Sequence, residues 1–251
     1  MSIGTSGGFF TAHRAAVQRL EAAQKPSAGT PAYSRYVNRP LGRQIAAWAY
    51  IARLTPNGVT GISALLTFSA VAVLAIMRPE WWVGVTVCIL LLLGYAFDSA
   101  DGQLARLRGG GSPQGEWLDH TVDAAKVTAL HMAVLITAYR DFDLPVVWLL
   151  VPMLYVFVDN LTFFGMVLKD LLSVRETGGK TRAWTTSTSA LHAIAVIPTD
   201  YGVFCAMFLL LGQHLLFFGA YTLMAFCNAI ILVLVLVKWY RDMGALRQAD
   251  R

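Results

Sequence analysis

Residues 97–126 read FDSADGQLARLRGGGSPQGEWLDHTVDAAK, and the stretch joins two apolar segments, 81–106 and 117–139. It holds four aspartates: Asp98, Asp101, Asp119 and Asp123. The first pair is three residues apart and the second pair four, and either step returns to one face of a helix. Between them Gly109, Gly110, Gly111, Ser112 and Pro113 mark a flexible turn. The spacing therefore predicts a helical hairpin whose two arms aim four carboxylates at one point.

The rest of the chain is built for lipid. Of 251 residues 56% are hydrophobic and 14% charged, with a mean hydropathy of +0.55. Soluble domains carry about 25% charged residues. Six apolar segments, 59–77, 81–106, 117–139, 145–168, 186–212 and 213–238, are each long enough to cross a bilayer. Only Gly212-Gln213-His214 marks the break between the last two. Cys88, Cys205 and Cys227 lie inside apolar runs without metal or disulfide spacing and read as packing residues. Met1–Thr5 lacks the charged head and apolar stretch of a signal peptide.

Ahead of the apolar segments, residues 9–25 suit a short surface helix. In 33–54, Val37, Leu41, Ile45, Trp48 and Ala52 recur at steps of three and four beside Arg35, Arg39 and Arg43. An apolar stripe next to a basic one fits a helix lying in an anionic membrane interface, with Pro40 starting or kinking it. The expected fold is an all-α integral membrane protein, a six-transmembrane-helix bundle with an N-terminal interfacial amphipathic helix. Its expected parts are an N-terminal region (1–54), a catalytic membrane domain (55–240) and a tail (241–251).

The net charge of +5 is read as a topology and lipid-headgroup signal rather than as nucleic-acid binding. With the N-terminus inside, seventeen Lys and Arg residues fall on the inner side and only Arg78 and Arg140 on the outer. That bias places both termini and both halves of the aspartate stretch on the cytoplasmic side, and it favours an even number of spans.

Four carboxylates at one point repel each other and lose hydration. Hard divalent cations, Mg²⁺ or Mn²⁺, relieve both costs. A two-metal site would also clamp a diphosphate for in-line displacement. Gly102 and Gly115 leave room for a ligand, Ala105 is small, and Arg106 can grip a phosphate bidentately. A cation or solute carrier would instead spread its acidic residues along a path across the bilayer.

The pattern D-x2-D-G-x2-A-R-x8-G-x3-D-x3-D, running from Asp98 to Asp123, resembles the signature of the CDP-alcohol phosphotransferases at every position. Leu54–Thr60 resembles the family's segment opening the first membrane helix, and Tyr33–Arg39 resembles its inositol-phosphate-transferring branch. The resemblance covers about residues 33–240. It implies attack by an acceptor hydroxyl on the β-phosphorus of a CDP-alcohol, with CMP leaving. It implies that Asp98, Asp101 and Asp119 are metal ligands, and that Asp123 is the general base and touches metal too. Asn57, Thr60, Gly102, Ala105, Arg106 and Gly115 would bind or accommodate the CDP group. A homodimer is implied as well. The donor is expected to be CDP-diacylglycerol or similar; a soluble polyol phosphate acceptor such as inositol phosphate, or a CDP-polyol donor, is the alternative.

Four basic residues are candidates for acceptor binding: Lys126, one turn past Asp123, and Arg175, Lys180 and Arg182 in an inner loop that also suits positive-inside anchoring. Lys126 is expected to pair with a motif aspartate or with Asp159. Asp159, Asn160 and Asp200 are expected inside the bundle, Asp200 with an outer-surface position as the alternative. His13, His131, His192 and His214 read as packing or interfacial residues, and His120 as pointing away from the metal site.

Overall fold

The structure, a computed structural model, describes residues 5–22, 31–176 and 197–246, all in helices and short connections among the described residues. Helix α1 spans Thr5–Ala22. A wide π-helical turn, Ser34–Asn38, leads into α2, Arg39–Ile51. Then come α3 (Pro56–Ile76), α4 (Trp81–Leu107), α5 (Pro113–Asp141) and α6 (Leu150–Glu176). After residues 177–196 the chain resumes with a 3-10 turn, Ile197–Thr199, the short helix α7 (Tyr201–Met207), and α8 (His214–Leu246).

Five of these stretches are long and apolar enough to cross a membrane: Pro56–Ile76, Trp81–Leu107, Pro113–Asp141, Val146–Glu176 and His214–Ala245. The fifth apolar segment differs from expectation where it is described. Its described part opens with the 3-10 turn Ile197–Thr199, and a helix starts only at Tyr201, where the Asp200 side chain caps it by accepting from Gly202 N at 3.0 Å. The expected break before His214 is present, and α8 runs past residue 240 to Leu246.

The main core lies where α3, α4, α5, α7 and α8 meet, around Leu74, Leu91, Val134, Phe208, Phe217 and Tyr221. Close approach of α3 to α4 depends on Gly94. A Cβ there would stand 2.5 Å from Thr67 Oγ1, and the Gly94 carbonyl accepts from Ser63 Oγ at 2.8 Å. A second, smaller core joins α1 and α2 to α4 through Ala16, Leu20, Ala46, Ala47, Ala100 and Leu104.

Helix α2 packs on α4 by its small residues Gly42, Ala46, Ala47 and Ala49, while the larger Val37, Leu41 and Trp48 of the expected stripe remain exposed. Pro40 sits in the first turn of α2, directly after the π-helical turn, on backbone that is already helical at Tyr33, Asn38 and Arg39. Upstream, Tyr33 N donates to Asp200 Oδ2 at 2.8 Å, and the Tyr33 ring stacks on Tyr95 at 6.3 Å. Burial in that crevice pushes the Tyr33 phenol above its ordinary range. Asp200 is thus buried against the N-terminal arm and not at an outer surface.

Candidate active site

Two helices begin side by side with the same local sequence. Thr55-Pro56-Asn57-Gly58 opens α3 and Ser112-Pro113-Gln114-Gly115 opens α5. In each the hydroxyl caps the helix by accepting from the glycine amide, Gly58 N to Thr55 Oγ1 at 3.1 Å and Gly115 N to Ser112 Oγ at 3.0 Å. The two starts touch: a Cβ on Gly115 would lie 3.1 Å from Asn57 Oδ1. The positive ends of two paired helix dipoles favour an anionic ligand.

Helix α4 arrives from the opposite direction. It ends where Gly109 and Gly110 take φ of +99° and +131°, a region open to glycine, with Gly110 N donating to Ala105 O at 3.0 Å. Both α4 and α5 pack on α3, and this places the last turns of α4 and the first turns of α5 on one side of it. Carboxylate oxygens of Asp98, Asp119 and Asp123 come within 4.8 Å of one another. The three residues are half-buried, so like charges meet in poorly hydrated surroundings, and a hard divalent cation fits that oxygen donor set.

Asp101, also expected among the ligands, is not one of these three carboxylates but has Asp98 and Asp119 as charged neighbours. It is buried and accepts a hydrogen bond from Thr60 Oγ1 at 2.6 Å. Thr60, expected on the nucleotide side, is in the described structure the residue that fixes Asp101. Arg106 folds back over Gly102, with Nη1 3.6 Å from where a Cβ on Gly102 would lie, and has Arg39 and Asp101 as charged neighbours. Ala105 is half-buried beside it.

Lys126 is buried and donates to Asp98 Oδ1 at 2.6 Å, to Asp123 Oδ1 at 3.0 Å and to Ser63 Oγ at 3.0 Å. It pairs with two motif aspartates and not with Asp159, whose partner is His131. Arg175 is exposed at the end of α6, and Lys180 and Arg182 lie outside the described residues. His120 stays out of the carboxylate cluster and lies 4.0 Å from Glu116.

Sequence reasoning missed Ser63 and His131. Ser63 carries no local signal beyond one small polar residue in an apolar helix. His131, read as packing, lies 3.0 Å through Nε2 from Asp159 Oδ2 and 2.7 Å through Nδ1 from the Tyr221 hydroxyl. A cavity of about 410 Å³ opens beside the carboxylates, lined among others by Asp98, Asp123, Lys126, His131 and Asp159.

A sequence profile of the CDP-alcohol phosphatidyltransferase family matches residues 53–240. Over 93 residues the chain is 36% identical to the phosphatidylinositol phosphate synthase of Corynebacterium glutamicum, covering 37% of this chain and 41% of that one. The chain thus spans about two fifths of the length of the curated relative it matches. A crystal structure of Mycobacterium tuberculosis phosphatidylinositol phosphate synthase with CDP-DAG bound has the same fold, with a TM-score of 0.52 at 21% identity over 81% of this chain and 94% of that one. The same enzyme in complex with manganese and citrate gives 0.52 at 18% identity, over 81% and 89%. The matched span contains the paired helix starts and the three-carboxylate cluster, and this multi-pass membrane protein belongs to the CDP-alcohol phosphatidyltransferase family.

Proposed function

We propose that this chain transfers a substituted phosphate from a CDP-alcohol to the hydroxyl of an acceptor alcohol, releasing CMP, in phospholipid synthesis. The observation that carries this is the junction of α4 and α5. Three carboxylates come within 4.8 Å of one another, two of them in the early turns of the capped helix α5 and one on α4, the helix that also carries Arg106. That is a site for metal-bound diphosphate.

Asp98, Asp119 and Asp123 would hold Mg²⁺ or Mn²⁺, with Asp101, steadied by Thr60, completing a two-ion site. Bound ions would neutralise the carboxylates and stabilise charge on the diphosphate. Asn57, Gly115, Gly102, Ala105 and Arg106 would surround the CDP group. Asp123 would take the proton from the acceptor hydroxyl. The acceptor oxygen then bonds to the β-phosphorus, and the bond from that phosphorus to the CMP oxygen breaks. Lys126 bridges Asp98 and Asp123 and offsets the repulsion between them.

CDP-diacylglycerol is the donor this reading favours, since a family structure of the same fold binds it. The acceptor is an alcohol or a polyol, and a polyol phosphate is supported by the relatives' identity as phosphatidylinositol phosphate synthases. Arg175, Lys180 and Arg182 would meet an acceptor phosphate. The reading includes six spans with both termini and the site on the cytoplasmic side, an interfacial α2 whose exposed Leu41 and Trp48 enter lipid, and a homodimer.

Purified protein given labelled CDP-diacylglycerol, Mg²⁺ or Mn²⁺ and a panel of acceptors tests it. CMP release and a new lipid are expected with at least one acceptor. Asp123→Asn should lower turnover by about 10²–10⁴-fold while CDP-diacylglycerol still binds. Full activity in that variant removes Asp123 as the base, and no release with any acceptor removes the donor assignment.

A further inference from the structure

The cavity does not end at the aspartates. It follows α5 past Lys126 to His131, eight residues beyond Asp123 and so about 12 Å deeper into the bundle. There His131, 2% exposed, is fixed between Asp159 on α6 and Tyr221 on α8. Asp159 keeps 30% of its side chain open. Asn228 on α8 commits its amide protons to the Tyr155 hydroxyl, the Pro198 carbonyl and the Met224 carbonyl at 3.1, 2.8 and 3.0 Å. What Asn228 offers the cavity is its carbonyl oxygen. Tyr155, Phe163 and Phe204 supply aromatic wall.

An ionisable pair inside a membrane bundle is costly and marks a functional place when it faces a cavity. A tie between helices alone would not need Asp159 to remain open. Among the polar groups of the residues lining this end of the cavity, the Asp159 carboxylate and the Asn228 carbonyl are acceptors. They suit a ligand that donates hydrogen bonds, and aromatic faces beside a carboxylate suit the C–H and O–H surfaces of a polyhydroxylated ring or chain.

We propose that His131, Asp159, Tyr155 and Asn228 form a second station of this cavity, which binds the non-reacting hydroxyl groups of a polyol acceptor while its reacting hydroxyl lies at Asp123. This rests on the transfer reaction proposed above. A phosphate carried by the same acceptor would point away from Asp159, towards the basic end of α6. Asp159 contacts the acceptor, and His131, with both ring nitrogens taken by Asp159 and Tyr221, is a positioning residue that orients Asp159; neither touches the reacting phosphorus.

The test has two arms on the purified full-length protein. In the first, without donor, myo-inositol and inositol 1-phosphate are titrated and the melting temperature followed. Both should stabilise the wild type, and Asp159→Asn and His131→Gln should weaken apparent affinity at least tenfold, while stabilisation by Mn²⁺ is kept. In the second, CMP release from CDP-diacylglycerol with inositol 1-phosphate should show acceptor KM raised at least tenfold in both variants, kcat within threefold and donor KM unchanged. Unchanged acceptor KM in both variants, or donor KM rising in step, overturns the station. Wild type that is not stabilised by either polyol also overturns it, whatever the variants do. Binding of polyol that depends on Asp159, without CMP release from any CDP-alcohol, would keep the station and sink the transfer reaction.

Discussion

Lys126 donates to Asp98, Asp123 and Ser63 at once, and in doing so sets one positive charge between two carboxylates of the cluster. Removing one partner of a buried ion pair leaves the other charge uncompensated and costs about 3–5 kcal/mol. Lys126→Met should therefore lower the melting temperature strongly in chelator. Because Mn²⁺ on the same carboxylates would supply the missing charge, the deficit should shrink when metal is added. Melting curves with and without Mn²⁺ check this; an equal deficit in both would mean that Lys126 does not neutralise the cluster. At this scale the aspartates were legible because the helical period alone turns a spacing of three or four into a shared face. The partners of His131 were not, since Asp159 is 28 and Tyr221 90 residues away, on other helices. A single histidine in an apolar run has no period from which to infer them. Asp101 was half legible: the motif placed it near the site, but not its bond to Thr60, 41 residues upstream.

The elements show which signals act locally. The twin starts, Thr55-Pro56-Asn57-Gly58 and Ser112-Pro113-Gln114-Gly115, each combine a hydroxyl cap, a proline in the first turn and a glycine whose amide meets the cap. Thr55→Ala and Ser112→Ala should each cost about 0.5–2 kcal/mol in unfolding experiments. The two starts are in contact through Asn57 and Gly115, so the double variant should depart from the sum of the singles. A strictly additive result would show that the helix starts do not support each other. Asp200 also carried a readable cap, yet hydropathy alone ran the fifth segment through it. In α2 the arginine-flanked stripe was legible as amphipathic, but which face would meet α4 was not. Alanines and Gly42 allow the backbones to approach, so the small face packed and the bulky one stayed outside.

Across the whole molecule, two helices measure the same depth. From Trp81 to Asp98 in α4 there are 17 residues, and from Asp123 to Arg140 in α5 another 17, each about 26 Å of helix and close to the thickness of a bilayer core. Trp81 and Trp82 are exposed at one end, as side chains of an interfacial aromatic belt are, and the carboxylates lie at the other. On this measure the aspartates would sit at one membrane boundary and His131 near mid-depth, as proposed above. The arginine count favours the inner boundary, and the side can be measured. After replacement of Cys88, Cys205 and Cys227, a cysteine at Gly111 would lie in the turn beside the site, where a Cβ meets nothing within 4 Å. A cysteine at the exposed Asp143 would lie at the opposite end of α5. In intact cells a membrane-impermeant maleimide should label Asp143→Cys and leave Gly111→Cys untouched until the membrane is opened. The opposite pattern would put the carboxylates outside, away from the cytoplasmic supply of CDP-activated substrates, and would reverse the orientation proposed here. Labelling of both from one side would mean that α5 does not cross the bilayer, and the depth argument for His131 would fall with it.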